Sequence, residues 1–129
     1  MPVQGETIKQ VVGAVEVIGI LLYLSGSYIN THSEYYRHVW KLKEENKGRL
    51  YTERLFGLAM HINYFGDIVL FIGLAMVAHS LSMLVIPMIM TVNFIFNIIP
   101  SLDRYLKKKY KDEFVNYSKK TKKFIPLIY

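Results

Sequence analysis

The sequence predicts an all-α, multi-pass membrane protein with three transmembrane helices, a C-terminal amphipathic helix and a folded-back tail. Apolar residues make up 52% of the 129 residues, and the mean hydropathy is positive. The apolar residues collect in long runs, which is typical of membrane helices. Lys and Arg exceed Asp and Glu, giving a formal net charge of +6, and they cluster beside the runs. We therefore assign this charge to a membrane rim in contact with anionic lipid, and expect no nucleic-acid partner.

Three apolar runs define the predicted spans: residues 11–29, 63–80 and 81–99. The first is about 28 Å long at 1.5 Å per residue, which is close to the thickness of a bilayer core. The second is long enough only if its helix begins near Asn63, and Pro100 is predicted to end the third. Basic residues fill the loop 30–62 and the tail 101–129. With three spans these two segments face the same side, which the positive-inside rule makes cytoplasmic.

The tail begins with an amphipathic pattern and ends in an apolar segment. Apolar residues recur at intervals of three or four from Leu102 to Tyr117, and lysines occupy many of the remaining positions, which predicts a helix. Residues 124–129 are too apolar to extend into water. We expect them to fold back onto the loop, the helix ends or the bilayer.

Polar residues that are costly near a membrane lie at the ends of the predicted spans. Asn63 and Asp67 are one turn apart at the start of the second span. The first helix is expected to continue past the membrane to about Trp40, so Asn30 and Glu34 share one of its faces. An ionisable residue at this depth indicates function, and a helix N-terminus suits a phosphate. The alternative is structural, because Asn is a good N-cap and Asp in a first turn suits the helix dipole.

Several classes of site are not expected. The chain has no cysteine, and its four histidines lack the spacing of a known metal motif, so neither thiol chemistry nor a metal centre is predicted. It also lacks a Gly-x-Gly-x-x-Gly motif after a strand, which excludes a Rossmann-type nucleotide site.

Short motifs follow one another along the chain in a characteristic order. They are Ile29-Asn30-x-His32-Ser33-Glu34, Gly48-Arg49-Leu50-Tyr51, Asn63-Tyr64-Phe65-Gly66-Asp67 and the terminal Ile125-Pro126-Leu127-Ile128-Tyr129. Together they resemble the C-terminal half of the steroid 5-alpha-reductase and sterol reductase family, whose fold is related to that of the isoprenylcysteine carboxyl methyltransferases. The resemblance covers nearly all of the chain from about Val11 onward.

This resemblance implies a membrane protein, in the endoplasmic reticulum if the source is eukaryotic, that binds NADPH at the cytosolic helix ends. It also implies reduction of a carbon–carbon double bond in a sterol-like or polyprenoid lipid. The cofactor-binding residues that it implies are Asn30, Glu34, Lys41, Arg49, Asn63, Asp67 and Tyr105.

The resemblance assigns no catalytic residue to this chain. In the steroid enzymes the acid and the tyrosine that polarise the substrate carbonyl lie in upstream helices, which belong to the half that this chain does not resemble. We therefore expect the chain to be a fragment, a truncated gene product or half of an assembly. In the last case another chain would supply the upstream helices.

Two other functions stay open. A methyltransferase of the isoprenylcysteine or phospholipid type would use S-adenosylmethionine in a related helix arrangement. Such enzymes favour a Glu-Glu pair entering the tail helix, where this chain has Asp103 followed by Arg104. A non-catalytic three-span protein would bind anionic lipid through its basic tail, with strong salt dependence and no nucleotide preference.

Overall fold

The structure, a computed structural model, describes the backbone of residues 2–129 and the side chains of residues 13–129. About 78% of the chain is helical, and the residues described contain no strand beyond an isolated bridge between Ala59 and Lys122. The predicted all-α class is therefore confirmed. The α-helices are α1 (Pro2–Leu42), α2 (Ile62–Val77), α3 (Val85–Asn93), α4 (Ile99–Tyr110) and α5 (Asp112–Lys120).

Two helical segments among the described residues are long and apolar enough to cross a membrane, namely Gly13–Leu42 within α1 and the continuous run Ser82–Tyr110. Helix α2 is apolar but has 16 residues, which is about 24 Å and less than the ~20 residues of a typical span. The helix predicted at 63–80 ends early, at Val77. His79 adopts a φ of 53°, which a right-handed helix does not accommodate.

The predicted third span, 81–99, was expected to end at Pro100, and this expectation was wrong. The helical run passes from α3 through a π-helical turn at Phe94–Ile98 into α4. Proline inside an α-helix lacks the N–H donor and clashes with the carbonyl four residues earlier. The π-helical turn interrupts the regular α-helical bonding at this point and places Pro100 in the first turn of α4, where the missing N–H costs little.

Helix α1 continues without a break to Leu42, which confirms the prediction that the first helix extends past the membrane to about Trp40, within the connecting segment 30–62.

One further segment differs from its predicted bounds. The amphipathic helix predicted from Leu102 to Tyr117 is split at Lys111, whose φ of 53° separates α4 from α5. The split lets aromatic side chains from both helices pack into one buried cluster with Met60. These side chains are Tyr110, Phe114 and Tyr117.

Helices α1 and α2 pack closely because glycines face each other across the contact. A Cβ atom on Gly26 would lie 2.4 Å from the backbone nitrogen of Leu70, and one on Gly73 would lie 2.5 Å from the carbonyl oxygen of Gly19. Any larger residue would push the backbones apart, as at other small-residue helix contacts. The glycines therefore set the distance between α1 and α2 and hold polar residues of both helices within hydrogen-bonding range.

The C-terminal tail folds back onto the segment before α2, as predicted. The backbone N–H groups of Met60 and His61 donate to the carbonyls of Lys122 and Lys123 at 2.7 and 2.9 Å. Phe124 is thereby buried, with 1% of its surface exposed. It packs against Ile68, Phe94 and Ile99.

Candidate functional site

Four of the predicted site residues meet where α1 and α2 pack together. Nδ2 of Asn30 donates to Oδ1 of Asp67 at 2.6 Å and to the backbone carbonyl of Asn63 at 3.2 Å. Nδ2 of Asn63 donates to Oε1 of Glu34 at 2.8 Å. Each helix thus contributes one amide that donates a hydrogen bond to a carboxylate of the other helix. We call these four residues the amide–carboxylate network.

Two cations extend the same face of α1 beyond the network. Asn30, Glu34, Arg37 and Lys41 follow one another at intervals of four, three and four residues, so their side chains lie along one side of the helix. Arg37 pairs with Glu34 at 2.5 Å. Nζ of Lys41 donates to the hydroxyl of Tyr110 in α4 at 3.0 Å. Along this face of α1, the amide and carboxylate side chains are therefore followed by two positively charged side chains.

Arg37, Lys41 and Asn63 all line one cavity of about 270 Å³. Aromatic side chains form much of its wall. They are Tyr51, Phe56, Tyr64, Tyr110 and Tyr117. Typical sites for drug-sized molecules are about 300–1,000 Å³, so this cavity has room for one part of a larger ligand. The two cations suit an anionic group of a ligand, and the aromatic side chains suit a planar ring.

A buried tyrosine forms part of the cavity wall. Tyr117 is 5% exposed, and its hydroxyl donates to the backbone carbonyl of Phe56. Burial raises the pKa of Tyr117 well above the ordinary value of a phenol, because the ionised form would lose its hydration there. The hydroxyl therefore stays protonated and ties α5 to the segment before α2.

Tyr117→Phe is expected to lower the stability at neutral pH and to reduce its alkaline sensitivity. Loss of the hydroxyl leaves a buried carbonyl without this donor, at a cost of about 1–3 kcal/mol. The pKa is raised in the folded state above the unfolded value of about 10, so the unfolded chain loses the proton first. The wild type should therefore lose stability as the pH rises above that value, and the variant should lose less.

Unfolding temperatures in detergent between about pH 8 and 11 measure both effects, since this range brackets the unfolded phenol pKa. Tyr35→Phe is the matched control, because Tyr35 is 59% exposed and its hydroxyl loss should change little. The same alkaline slope in Tyr117→Phe and in the wild type would contradict the role of the buried phenol.

A second buried polar pair joins α4 to the segment before α2. Nε2 of His61 lies 2.7 Å from Oδ1 of Asp103, and His61 is 3% exposed. Nζ of Lys123, in the tail, lies 4.0 Å from the other carboxylate oxygen. His61 also lines the cavity and stacks on Tyr64. These contacts hold α4, the tail and the start of α2 together around the cavity.

Two predicted site residues lie outside this arrangement. Nε of Arg49 pairs with Glu113 at 3.5 Å, and Tyr105 is 56% exposed; neither residue lines the cavity. Tyr105 directly precedes Leu106, which lines the cavity, and successive helical residues are rotated by about 100°. Tyr110 is one turn beyond Leu106 and therefore occupies the cavity face instead.

Several cavity residues were not assigned to the site from the sequence: Arg37, His61, Tyr110 and Tyr117. Arg37 could have been found, because it follows Glu34 by three residues on the face already predicted. The amphipathic spacing of the tail marks Tyr110 and Tyr117 as inward-facing. His61 gives no such signal, because its partner Asp103 is distant in the sequence.

Comparison with known proteins identifies a family for the chain. Residues 1–121 match the DUF1295 family, which is described as a protein of unknown function. The match spans every predicted site residue. No curated protein matches the chain significantly. The chain therefore belongs to the DUF1295 family.

Proposed function

We propose that the chain is the NADPH-binding part of a membrane reductase acting on a carbon–carbon double bond of a sterol-like or polyprenoid lipid. The observation that carries this proposal is the amide–carboxylate network, which continues into Arg37 and Lys41 at an aromatic cavity. The motifs that resemble the steroid 5-alpha-reductases contain all four network residues. The family match supports the same proposal, because the DUF1295 family is steroid 5-alpha-reductase-like.

The residue types fit the chemistry of a phosphorylated dinucleotide. Arg37 and Lys41 suit phosphate, because guanidinium and ammonium groups form short charge-assisted hydrogen bonds with its oxygens. Glu34 and Asp67 each accept an amide hydrogen bond, but an ionised carboxylate has about four acceptor positions. Capacity therefore remains for ribose hydroxyls or a carboxamide.

The size of the cavity limits which part of the cofactor it would hold. With about 270 Å³ it would take one part of NADPH, and the remainder would extend along the polar face of α1. Bound NADPH supplies the hydride, and the residues of this chain bind and orient the cofactor. The folded-back tail would help to keep water from the reacting end.

The proposed membrane placement uses three crossings. Helix α1 and the run Ser82–Tyr110 have the required length, and we propose α2 as the third crossing because it packs tightly along α1 through glycines. A short crossing is tolerated at modest cost by local thinning of the bilayer. The network then lies at the cytoplasmic helix ends, in the endoplasmic reticulum if the source is eukaryotic.

Lys41→Ala is expected to weaken NADPH binding by about 10- to 150-fold, which corresponds to the ~1.5–3 kcal/mol of a hydrogen bond to a charged group. Arg49→Ala should leave the affinity nearly unchanged. Both variants lose one positive charge from the segment that follows the first crossing, so non-specific attraction changes equally. Titration of detergent-purified protein, followed by NADPH fluorescence, measures the difference. Equal affinities in the two variants would contradict a site at the cavity.

A further inference from the structure

A second pocket, of about 230 Å³, lies between another face of α1 and the segment that follows this helix. Aromatic and charged side chains form most of its lining. They are Tyr36, Trp40, Lys43, Tyr51, Glu53 and Arg54. We call it the aromatic–cation pocket.

The guanidinium of Arg54 is held at this pocket by an unusual backbone conformation and by an aromatic ring. The φ of Arg54 is 55°, in the left-handed region that residues other than glycine adopt only at a cost. Its guanidinium carbon lies 3.8 Å from the centre of the Tyr36 ring. Stacking of this kind occupies the flat face of the guanidinium. The N–H donors at its edge remain available to bind a phosphate.

The two cations of the pocket are not neutralised by a protein anion. Among the side chains that the structure describes, neither Lys43 nor Arg54 lies within 4.0 Å of a carboxylate oxygen. Lys47, in the same connecting segment, pairs with Glu44 at 2.9 Å. Glu53 also lines the pocket, so two cations and one carboxylate leave one net positive charge there. The pocket therefore suits an anion.

The pocket lies just beyond the level at which α2 begins. Asn63, at the start of α2, donates to Glu34 at 2.8 Å, so Glu34 marks this level on α1. Tyr36 is two residues further along α1, which is about 3 Å, and Trp40 is six residues further, which is about 9 Å. Side chains of α1 lean toward its N-terminus, which here is toward the bilayer. With α2 as a crossing, the pocket begins in the headgroup layer, where Trp and Tyr are enriched.

The exposed apolar face of α1 leads to the pocket from the bilayer. Leu21, Tyr28 and Val39 are separated by 7 and 11 residues. These separations are close to two and three helical turns, so the three residues share one side of α1. Leu21 and Tyr28 are 58% and 61% exposed, and Val39 lines the pocket. A lipid whose acyl chain lies on this face would have its phosphate at the pocket.

We infer that the aromatic–cation pocket binds the phosphate of an anionic phospholipid in the cytoplasmic leaflet. Arg54 and Lys43 contact the phosphate oxygens, and an acyl chain lies along the exposed face of α1. A soluble anion would gain only the first of these contacts, so the lipid fits the whole surface better. The inference rests on the membrane placement in the proposed function and is independent of NADPH.

Trp40 makes binding at the pocket directly observable, because it is the only tryptophan of the chain. The protein in a neutral detergent is titrated with phosphatidylglycerol, and the tryptophan emission is followed. Zwitterionic phosphatidylcholine is the control lipid. We expect a saturable change with phosphatidylglycerol and a half-saturating concentration at least about 5-fold higher with phosphatidylcholine.

Lys43→Gln and Arg54→Gly should each raise the half-saturating concentration of phosphatidylglycerol about 5-fold, which is the usual effect of one cation near an anionic lipid. Glycine adopts the backbone conformation of residue 54 without strain, so this variant should fold. Lys47→Gln is the matched control. It also removes one positive charge from the connecting segment, but Lys47 does not line the pocket, so the change should be below about 2-fold.

Three results would overturn the inference while leaving the cofactor proposal intact. They are an unchanged Trp40 emission, equal responses to the two lipids, and equal effects of Lys43→Gln and Lys47→Gln, which would indicate general attraction to a basic surface. Glycerophosphoglycerol, the same headgroup without acyl chains, should bind at least about 10-fold more weakly than the lipid. Equal binding would make this a site for a soluble anion.

NADPH binding, followed by the fluorescence of the nucleotide, separates this inference from the proposed function. Lys43→Gln and Arg54→Gly should bind NADPH as the wild type does. Loss of NADPH binding in these two variants would assign the pocket to the cofactor and overturn the lipid site. A normal response of Trp40 to phosphatidylglycerol in a protein that binds no NADPH would contradict the proposed function alone.

Discussion

Gly26→Ala is expected to separate α1 from α2 and to destabilise the protein by about 1–3 kcal/mol, the usual cost of overpacking a tight contact. The new Cβ would lie 2.4 Å from the backbone nitrogen of Leu70 and 2.5 Å from the carbonyl oxygen of Gly66. Backbone atoms cannot escape by a change of rotamer, so the helices themselves must move. Asn30 lies one turn further along α1, and its hydrogen bonds to α2 should lengthen with them.

Unfolding temperature in detergent measures the destabilisation, and nucleotide affinity measures the damage to the network. Gly13→Ala is the matched control, because a Cβ atom on Gly13 would meet none of the described side chains and backbone atoms within 4 Å. Alanine favours a helix over glycine by about 1 kcal/mol, so the control should be neutral or stabilising. If Gly26→Ala were as stable as Gly13→Ala, the glycine contact would not set the helix spacing.

Asn30→Asp is expected to cost about 2–4 kcal/mol, since it replaces a charge-assisted hydrogen bond with two facing carboxylates. In the native protein Nδ2 of Asn30 lies 2.6 Å from Oδ1 of Asp67, so the new carboxylate would be in direct contact with the old one. The side chain keeps nearly the same shape. The loss of folding stability in this variant therefore comes from the change in charge and hydrogen bonding, with little contribution from packing.

The exchanged double variant, Asn30→Asp with Asp67→Asn, supplies the control. It restores one amide and one carboxylate across the α1–α2 contact, so most of the stability should return, with a coupling free energy of up to about 3 kcal/mol. The hydrogen bond from Asn30 to the carbonyl of Asn63 is lost in both variants, so recovery should be incomplete. Additive effects of the two single substitutions would contradict a direct interaction between positions 30 and 67.

The arrangement of the candidate-site residues on each helix could be predicted from local spacing. Asn30 and Glu34 are one helical turn apart, as are Asn63 and Asp67, so each pair shares a helix face whatever the rest of the chain does. The resemblance to the reductases implies that both pairs bind the same nucleotide. In the structure the two pairs are joined by hydrogen bonds. The glycines that set the required distance are seven residues apart on each helix, at Gly19 and Gly26 and at Gly66 and Gly73. This spacing places each pair on one helix face, but it does not say which two helices meet.

The remaining contacts depend on how the chain turns outside the helices. The sequence pattern gives no reason for the break at Lys111, and this break decides that Tyr110 and Tyr117 both face the cavity. Arg49 lies beyond the end of α1, where no helical spacing predicts the direction of its side chain. In the structure it pairs with Glu113. The prediction that the third helix ends at Pro100 was wrong, because a π-helical turn precedes the proline and places it in the first turn of α4.

Nucleotide binding to the purified chain tests the central claim most directly. The protein in detergent with added lipid is titrated with NADPH, NADH and S-adenosylmethionine, and the titration is repeated with Asn63→Ala. We predict saturable binding of NADPH, weaker binding of NADH because it lacks the 2′-phosphate that Arg37 and Lys41 would contact, and a loss of binding in Asn63→Ala. Binding of S-adenosylmethionine alone, or of no nucleotide, would contradict the assignment of this site to NADPH.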